Sequence, residues 1–371
     1  MSEAASNKID AYLLDALRLK SSDLHFISGD PPRVRVHGAL QLLNDQKLTI
    51  DGVKEALYEI MSGTMQRDFE SNDAVDFAYD IPDVSRFRVN IMRHLNGIGA
   101  VFRAIPSNAL TLDELNMPPI VHELCKHTQG MILVTGKTGS GKSTTLAAMI
   151  DDINKRLKGH ILTIEDPIEF VHKRQNCLIS QREVGVHTES FAAALHSALR
   201  EDPDVILVGE LRDIETIGVA VTAAEMGILV MGTLHTNGAA ATIDRLINSF
   251  PADKQSHIRT MLSTSLRSVI SQQLLPTKGK PGRVAALEIL VNTPGVANLI
   301  RQGKLDQIET AMQSGSASGM QTMDSALMKL VENGEIEGRD AYLQSNNKAK
   351  FKSFLPDEDM PPGVDDHLVN E

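Results

Sequence analysis

A small α+β domain followed by a larger α/β domain with a parallel sheet is the fold that the sequence predicts. Three observations carry it. Apolar and polar residues alternate through much of the N-terminal segment, between two helical stretches. Four short, nearly unbroken apolar runs (131–135, 161–164, 205–208 and 228–234) then recur among helical stretches, as strands covered on both faces do. The third is a glycine-rich turn, "GKTGSGKSTT", directly after the first of those runs.

Taken in order, residues 8–20 place Ile9, Tyr12, Leu13, Ala16 and Leu17 on one helical face. After a turn, Val34 and Val36 alternate with Arg33, Arg35 and His37, the pattern of a half-exposed strand. Residues 51–62 form a second helix, with Asp51 as its expected N-cap and Val53, Ala56, Leu57 and Ile60 inward. Val75, Phe77 and Tyr79 line a strand, Phe87, Val89 and Ile91 line the next, and 99–105 forms a third. Helices beside an antiparallel sheet make an α+β domain, here over 1–105. Residues 106–119 carry three prolines and are expected as a linker. The α/β domain follows over 120–352. From 293 it turns helical, with Thr293 as a cap and Pro294 at the first helical position. Residues 353–371 are acidic and proline-bearing, a composition that favours disorder.

The totals narrow the function. Of 371 residues, 42% are hydrophobic and 23% charged, as in a soluble globular protein. A net charge of −11 argues against coating nucleic acid. The two cysteines, Cys125 and Cys177, form no CxxC pair, which excludes a cysteine-based zinc module. No apolar run is long enough to cross a bilayer. The opening "MSEAASNKIDAYLL" has no basic-then-apolar leader, so no membrane insertion and a cytoplasmic location are expected.

The strongest signal is "MILVTGKTGSGKSTTLAAMIDDI", which fits G-x-x-x-x-G-K-[ST] with a strand before it and a helix after it. The candidate nucleotide-binding residues are Gly136, Lys137, Thr138, Gly139, Ser140, Gly141, Lys142, Ser143 and Thr144. Glycines let the backbone wrap phosphate with its N–H groups inward, and the helix N-terminus adds a favourable dipole. Lys142 should reach the β- and γ-phosphates of ATP, and Ser143 should face Mg²⁺.

Two acidic clusters lie downstream: "TIEDPIEF", with Glu165, Asp166 and Glu169, and "DVILVGELRD", with Glu210. Such strand ends gather at the carboxyl edge of a parallel sheet, beside the nucleotide. Hydrolysis needs one carboxylate for water and another for the metal shell. In the second cluster the acid comes one place after the apolar run ends. Magnesium keeps several waters, so Glu210 can still act through one of them. Gly209 is expected to let the backbone pass close to the phosphates. A solvated charged loop is the competing reading for Glu169 and Glu210.

"GKTGSGKSTT", "TIEDPIEF", "LREDPDVILVGELRD" and "GTLHTNGAAATIDR" together resemble the secretion-ATPase superfamily, the motors of type IV pili and type II secretion. Within it the chain is most similar to the type IV pilus retraction ATPases. The likeness extends from "SSDLHFISGDPPRVRVHG" through "SRFRVN" and "GAVFRAIP" to "GMQTMDSAL". The resemblance implies a PAS-like N-terminal domain, a RecA-like P-loop ATPase domain and a homo-hexamer. It implies recruitment to an inner-membrane pilus platform protein and, as a further partner, a paralogous retraction ATPase. By position, Glu169 would activate water, Glu210 would organise Mg²⁺ and His235 would sit near the γ-phosphate. Arg88 and Arg103, with Arg200 and Arg245 as inter-subunit candidates, would close on phosphates, since a guanidinium fork matches phosphate oxygens. Surface salt bridging competes for each arginine, and a satisfied histidine at a strand end competes for His235.

Two departures from the family pattern stand out. Ile228 replaces a histidine expected at the nucleotide edge of the sheet, and "GVANLIRQ" stands where "AIRNLIRE" is usual, with Gly295, Ala297 and Gln302 altered. They keep an accessory or nucleotide-responsive ring component in view beside an autonomous retraction motor. A pilus-extension or type II secretion ATPase would bring a four-cysteine module, which two cysteines cannot supply.

Overall fold

The computed structural model describes residues 7–36, 38–82, 84–105, 109–280 and 282–355. The chain divides into two units, Met1–Asn108 with Glu169–His172, and Ala109–Ile168 with Lys173–Glu371.

In the first unit α1 (Asp10–Arg18) is followed by β1 (Asp23–Ile27), β2 (Arg33–Val36) and β3 (Ala39–Leu42). Then come α2 (Ile50–Ile60), α3 (Gly63–Asn72), β4 (Ala74–Ile81), β5 (Ser85–His94) and β6 (Gly97–Ile105). The strands make a six-stranded sheet in the order β3-β2-β1-β6-β5-β4, antiparallel at every pairing. Ile9, Leu13, Val53, Leu57, Phe87, Val89 and Ile91 are buried in its core, so the helical and alternating periodicities do select the inward faces. The N-cap of α2 is Thr49 rather than Asp51: the Thr49 hydroxyl accepts from Gly52 N at 3.1 Å. Asp51 lies in the first turn, where its charge meets the helix dipole instead. The alternation missed β1, β3 and α3. β3 is exposed along its whole length, so no buried face imposes a pattern on it.

The second unit holds α4 (Pro119–Leu124), β7 (Gly130–Thr135), α5 (Lys142–Arg156), β8 (His160–Glu165), β9 (Leu178–Glu183), α6 (Phe191–Ala198), β10 (Val205–Val208), α7 (Ile214–Glu225) and β11 (Leu229–Leu234). It continues with α8 (Ala239–Asn248), α9 (Ala252–Ser265), β12 (Leu266–Pro276), β13 (Arg283–Val291), α10 (Pro294–Gln302), α11 (Ile308–Ser314), α12 (Met323–Glu332) and α13 (Gly338–Gln344). Its seven-stranded sheet runs β13-β12-β7-β11-β10-β8-β9. All pairings are parallel except the β12–β13 edge hairpin. Both faces are covered, by two large apolar clusters. Thr293 caps α10 as expected, accepting from Val296 N at 3.4 Å.

Two expected boundaries move. Leu112 and Met117, placed in the linker, are buried in the second unit's core, so chain after 109 packs rather than spans. Residues 106–108 lie outside the described residues. At the other end Phe351 and Leu355 are buried, and packed chain runs past the expected boundary at 352. The rest of the expected acidic tail, 356–371, lies outside the described residues. Among the described residues no helix is long and apolar enough to cross a membrane.

Candidate functional site

Parallel pairing decides where the chemistry collects. Thr135 of β7 lies opposite Leu234 of β11. Val208 of β10 lies opposite both Gly232 and Ile164. The turns that follow these strands, carrying Gly136, His235, Glu210 and Asp166, therefore share one edge of the sheet.

The glycine-rich turn is held by a brace that no motif announces. Gln272 of β12, buried, accepts from Thr145 Oγ1 at 2.7 Å and donates to Ser140 O at 2.7 Å. Glycine is required against it. A Cβ on Gly136 would lie 2.3 Å from Gln272 O, and one on Gly141 2.7 Å from Gln272 Nε2. Both residues also have positive φ, 139° and 87°, which L side chains disfavour. Lys137, Thr138 and Gly139 are exposed at the crest of the turn, and Ser143 and Thr144 are half-buried in the first turn of α5. Gln272→Ala should leave the Thr145 hydroxyl and the Ser140 carbonyl without partners. It is expected to cost about 1–3 kcal/mol and to raise the KM for ATP several-fold. Thermal melting and turnover check this, and unchanged values in both would discard the brace.

Lys142 is only 8% exposed. Its Nζ donates to Gly136 O at 2.9 Å and Lys137 O at 3.1 Å, and lies 3.5 Å from His235 Nδ1. Thr138 Oγ1 approaches the same nitrogen at 3.5 Å. An ammonium only donates, so Nδ1 facing it is the acceptor, and the proton of a neutral ring sits on Nε2. Nε2 lies 3.3 Å from Glu210 Oε1, in position to donate. Glu210 Oε2 takes a 2.7 Å ion pair from Arg212. Burial opposes ionisation of Glu210. Hydrogen bonding and electrostatic attraction from Arg212 and His235 outweigh it, and hold the carboxyl below the usual carboxylate range. A line of interacting polar groups, Lys142–His235–Glu210–Arg212, thus runs across the carboxyl edge.

Gly209 is demanded by its neighbours in the sheet. A Cβ there would lie 3.2 Å from Ile164 O and 3.3 Å from Glu165 Cα, so the glycine permits close strand approach. Glu165, buried, accepts from Thr163 Oγ1 at 2.6 Å and Gln181 Nε2 at 3.3 Å, a supporting role inside the sheet.

Ile228 corrects the sequence reading. It precedes β11, at the amino end of the strand, where it packs against the core. At about 3.3 Å per residue the strand separates it from His235 by roughly 20 Å. The position is not at the nucleotide edge, and isoleucine fits its apolar surroundings. Ile228→His is expected to cost roughly 1–3 kcal/mol in melting experiments and to leave ATP turnover within about twofold. A many-fold gain in turnover would contradict this placement.

Glu169 is exposed and belongs, with Phe170, Val171 and His172, to the first unit. Arg88 and Arg103 are there too, directly opposite each other on β5 and β6. Arg103 Nε donates to Asp23 Oδ1 at 2.9 Å. Arg200, just after α6, and Arg245, on α8, are exposed in the second unit, with no side-chain partner among the described residues. Sequence reasoning missed Arg212, Gln272 and Thr145. Arg212 stood two places after Glu210 in the quoted motif; Gln272 gave no signal, because its partners lie far off in the chain.

The site suits a magnesium nucleotide. Ser140 Oγ is a buried hydroxyl without a partner among the described residues. Among the same residues no group of three or more His, Cys, Asp or Glu side chains could hold a metal alone. Magnesium held by one or two protein oxygens plus phosphates asks for no such group.

The family model for type II/IV secretion system proteins matches residues 2–341. The type IV pilus retraction ATPase PilT of Pseudomonas aeruginosa is 52% identical over 337 residues, covering 91% of this chain and 95% of that one. A twitching motility protein of Neisseria gonorrhoeae is 51% identical over 335 residues, covering 89% and 90%. A crystal structure of the pilus retraction motor PilT with bound ADP superposes with a TM-score of 0.87 at 44% identity, covering 93% of this chain and 99% of that one.

Proposed function

The chain belongs to the type II/IV secretion system protein family, and on that premise we propose that it is an ATP-hydrolysing motor that drives type IV pilus retraction. Its fold is that family's mixed α/β, RecA-like ATPase fold. We read the N-terminal unit as PAS-like and the working form as a homo-hexamer docked on an inner-membrane pilus platform protein.

The observation that supports catalysis best is the meeting of Lys142, His235 and Glu210 at the phosphate-binding turn. In this reading Lys142 holds the β- and γ-phosphates. The Ser143 hydroxyl and the ionised Glu210 would hold magnesium, directly or through water. When bound, magnesium supplies positive charge against the phosphate oxygens. Glu169 orients water and takes its proton. His235 links Lys142 to Glu210, so both respond to the same ligand. Arg88, Arg103, Arg200 and Arg245 are exposed guanidiniums suited to phosphates within or between subunits.

Deletion of the gene tests direction. Cells with surplus surface pili and no twitching support retraction. Bald cells would mean extension instead.

A further inference from the structure

We propose that Glu288 is a positioning residue that ties the loop carrying His235 to the C-terminal helices. Glu288 lies on β13, only 8% exposed. Its Oε1 accepts from Ala239 N at 2.7 Å and its Oε2 from Met323 N at 3.2 Å. Those residues are the first of α8 and of α12, so each carboxylate oxygen serves one helix N-terminus. The N-terminus of α8 depends on this contact. Its N-cap is Gly238, which has no side chain to offer, whereas α12 is also capped by Thr322.

The loop between His235 and α8 is otherwise held by hydroxyls. Gly238 N donates to Ser271 Oγ at 2.9 Å, and Thr236 and Thr242 join through their hydroxyls at 2.7 Å. Beyond α12 the link continues. Asp324 accepts from Asn346 N at 2.8 Å and Asn347 N at 3.0 Å, fixing the final turn of the described chain. Gln321, just before α12, bridges to Ile289 beside Glu288. Glu288 therefore joins the loop that follows His235 to α12 through one carboxylate.

The residue type fits this task. Only a carboxylate presents acceptors at both ends of a planar group; glutamine would point an N–H₂ at one of the two backbone donors. Burial makes ionisation of Glu288 costly, and the two backbone N–H groups offset part of that. Glu309 and Asp324 raise the cost further.

The inference rests on the reading of His235 as part of the hydrolytic site, and the test separates the two. ATP turnover and binding of a fluorescent ATP analogue are measured for full-length His235→Ala, Glu288→Gln and the double variant. Glu288→Gln is expected to lower kcat about tenfold, with KM and affinity within about twofold. The double variant should be no slower than His235→Ala alone, because Glu288 acts through that loop. A folded Glu288→Gln with wild-type kcat, or losses that multiply in the double variant, overturns the proposal while leaving the site reading intact. A silent His235→Ala overturns the site reading, and the proposal with it. Hydrogen exchange of the wild-type protein is independent of whether the variants fold. A non-hydrolysable ATP analogue should slow exchange in both 235–243 and 321–327, and slowing confined to the first segment counts against the link.

Discussion

Lys142→Ala is expected to abolish ATP turnover and weaken ATP binding. The Lys142 ammonium is 8% exposed and anchored on the carbonyls of Gly136 and Lys137. It is therefore held at the mouth of α5, where the helix dipole and the turn's N–H groups also favour negative charge. Charge-assisted hydrogen bonds are worth about 1.5–3 kcal/mol each. Losing two to phosphate oxygens corresponds to roughly 100-fold or more in kcat/KM. His235 Nδ1 would lose its 3.5 Å neighbour as well, so its link to Glu210 should lose orientation. The scaffold should survive, because Gln272 still ties Ser140 to Thr145 across the turn. Turnover, nucleotide binding and thermal melting of the purified variant check this. Wild-type hydrolysis by a folded variant would remove the phosphate-loop assignment.

What the sequence made legible, and what it did not, follows from the range of the interactions. The phosphate turn is local: its glycines, its lysine and the helix after it are consecutive, so spacing alone identifies them. The parallel strands were legible because burial on both faces leaves continuous apolar runs, as in Ile206–Val208 and Ile161–Leu162. The long β12–β13 hairpin escaped, because four of the seven polar residues in its strands are buried rather than facing solvent. Ser268, Ser271, Gln272 and Glu288 are all buried there and break the apolar pattern. Ser271, Gln272 and Glu288 hold the site's turn and loop, and each does so through groups far away in the chain. Ile228 misled for the opposite reason. A motif places it near His235 in sequence, but an extended strand carries the two to opposite ends of the sheet.

The division of labour between Glu169 and Glu210 gives the second large effect. Glu169→Gln is expected to keep ATP binding and lower hydrolysis by about 100-fold or more, since a glutamine can orient water but cannot take its proton. Glu210→Gln should also cut turnover, with a different signature. The Glu210 carboxylate is held ionised between Arg212 and His235. An amide removes the charge that faces both and leaves an Arg212 guanidinium beside a neutral group. A hard cation that prefers charged oxygen should then be held less well, and half-maximal turnover should require more magnesium. The histidine is affected too, because its Nε2 proton loses a charged acceptor. Magnesium titrations of both variants, run with nucleotide-binding measurements, separate the two roles. Glu169→Gln should lose rate at every magnesium concentration, whereas Glu210→Gln should recover part of its rate as magnesium rises. If Glu169→Gln hydrolyses normally while Glu210→Gln is dead at saturating magnesium, the roles are exchanged: Glu210, already beside His235 and one step from Lys142, is then the base.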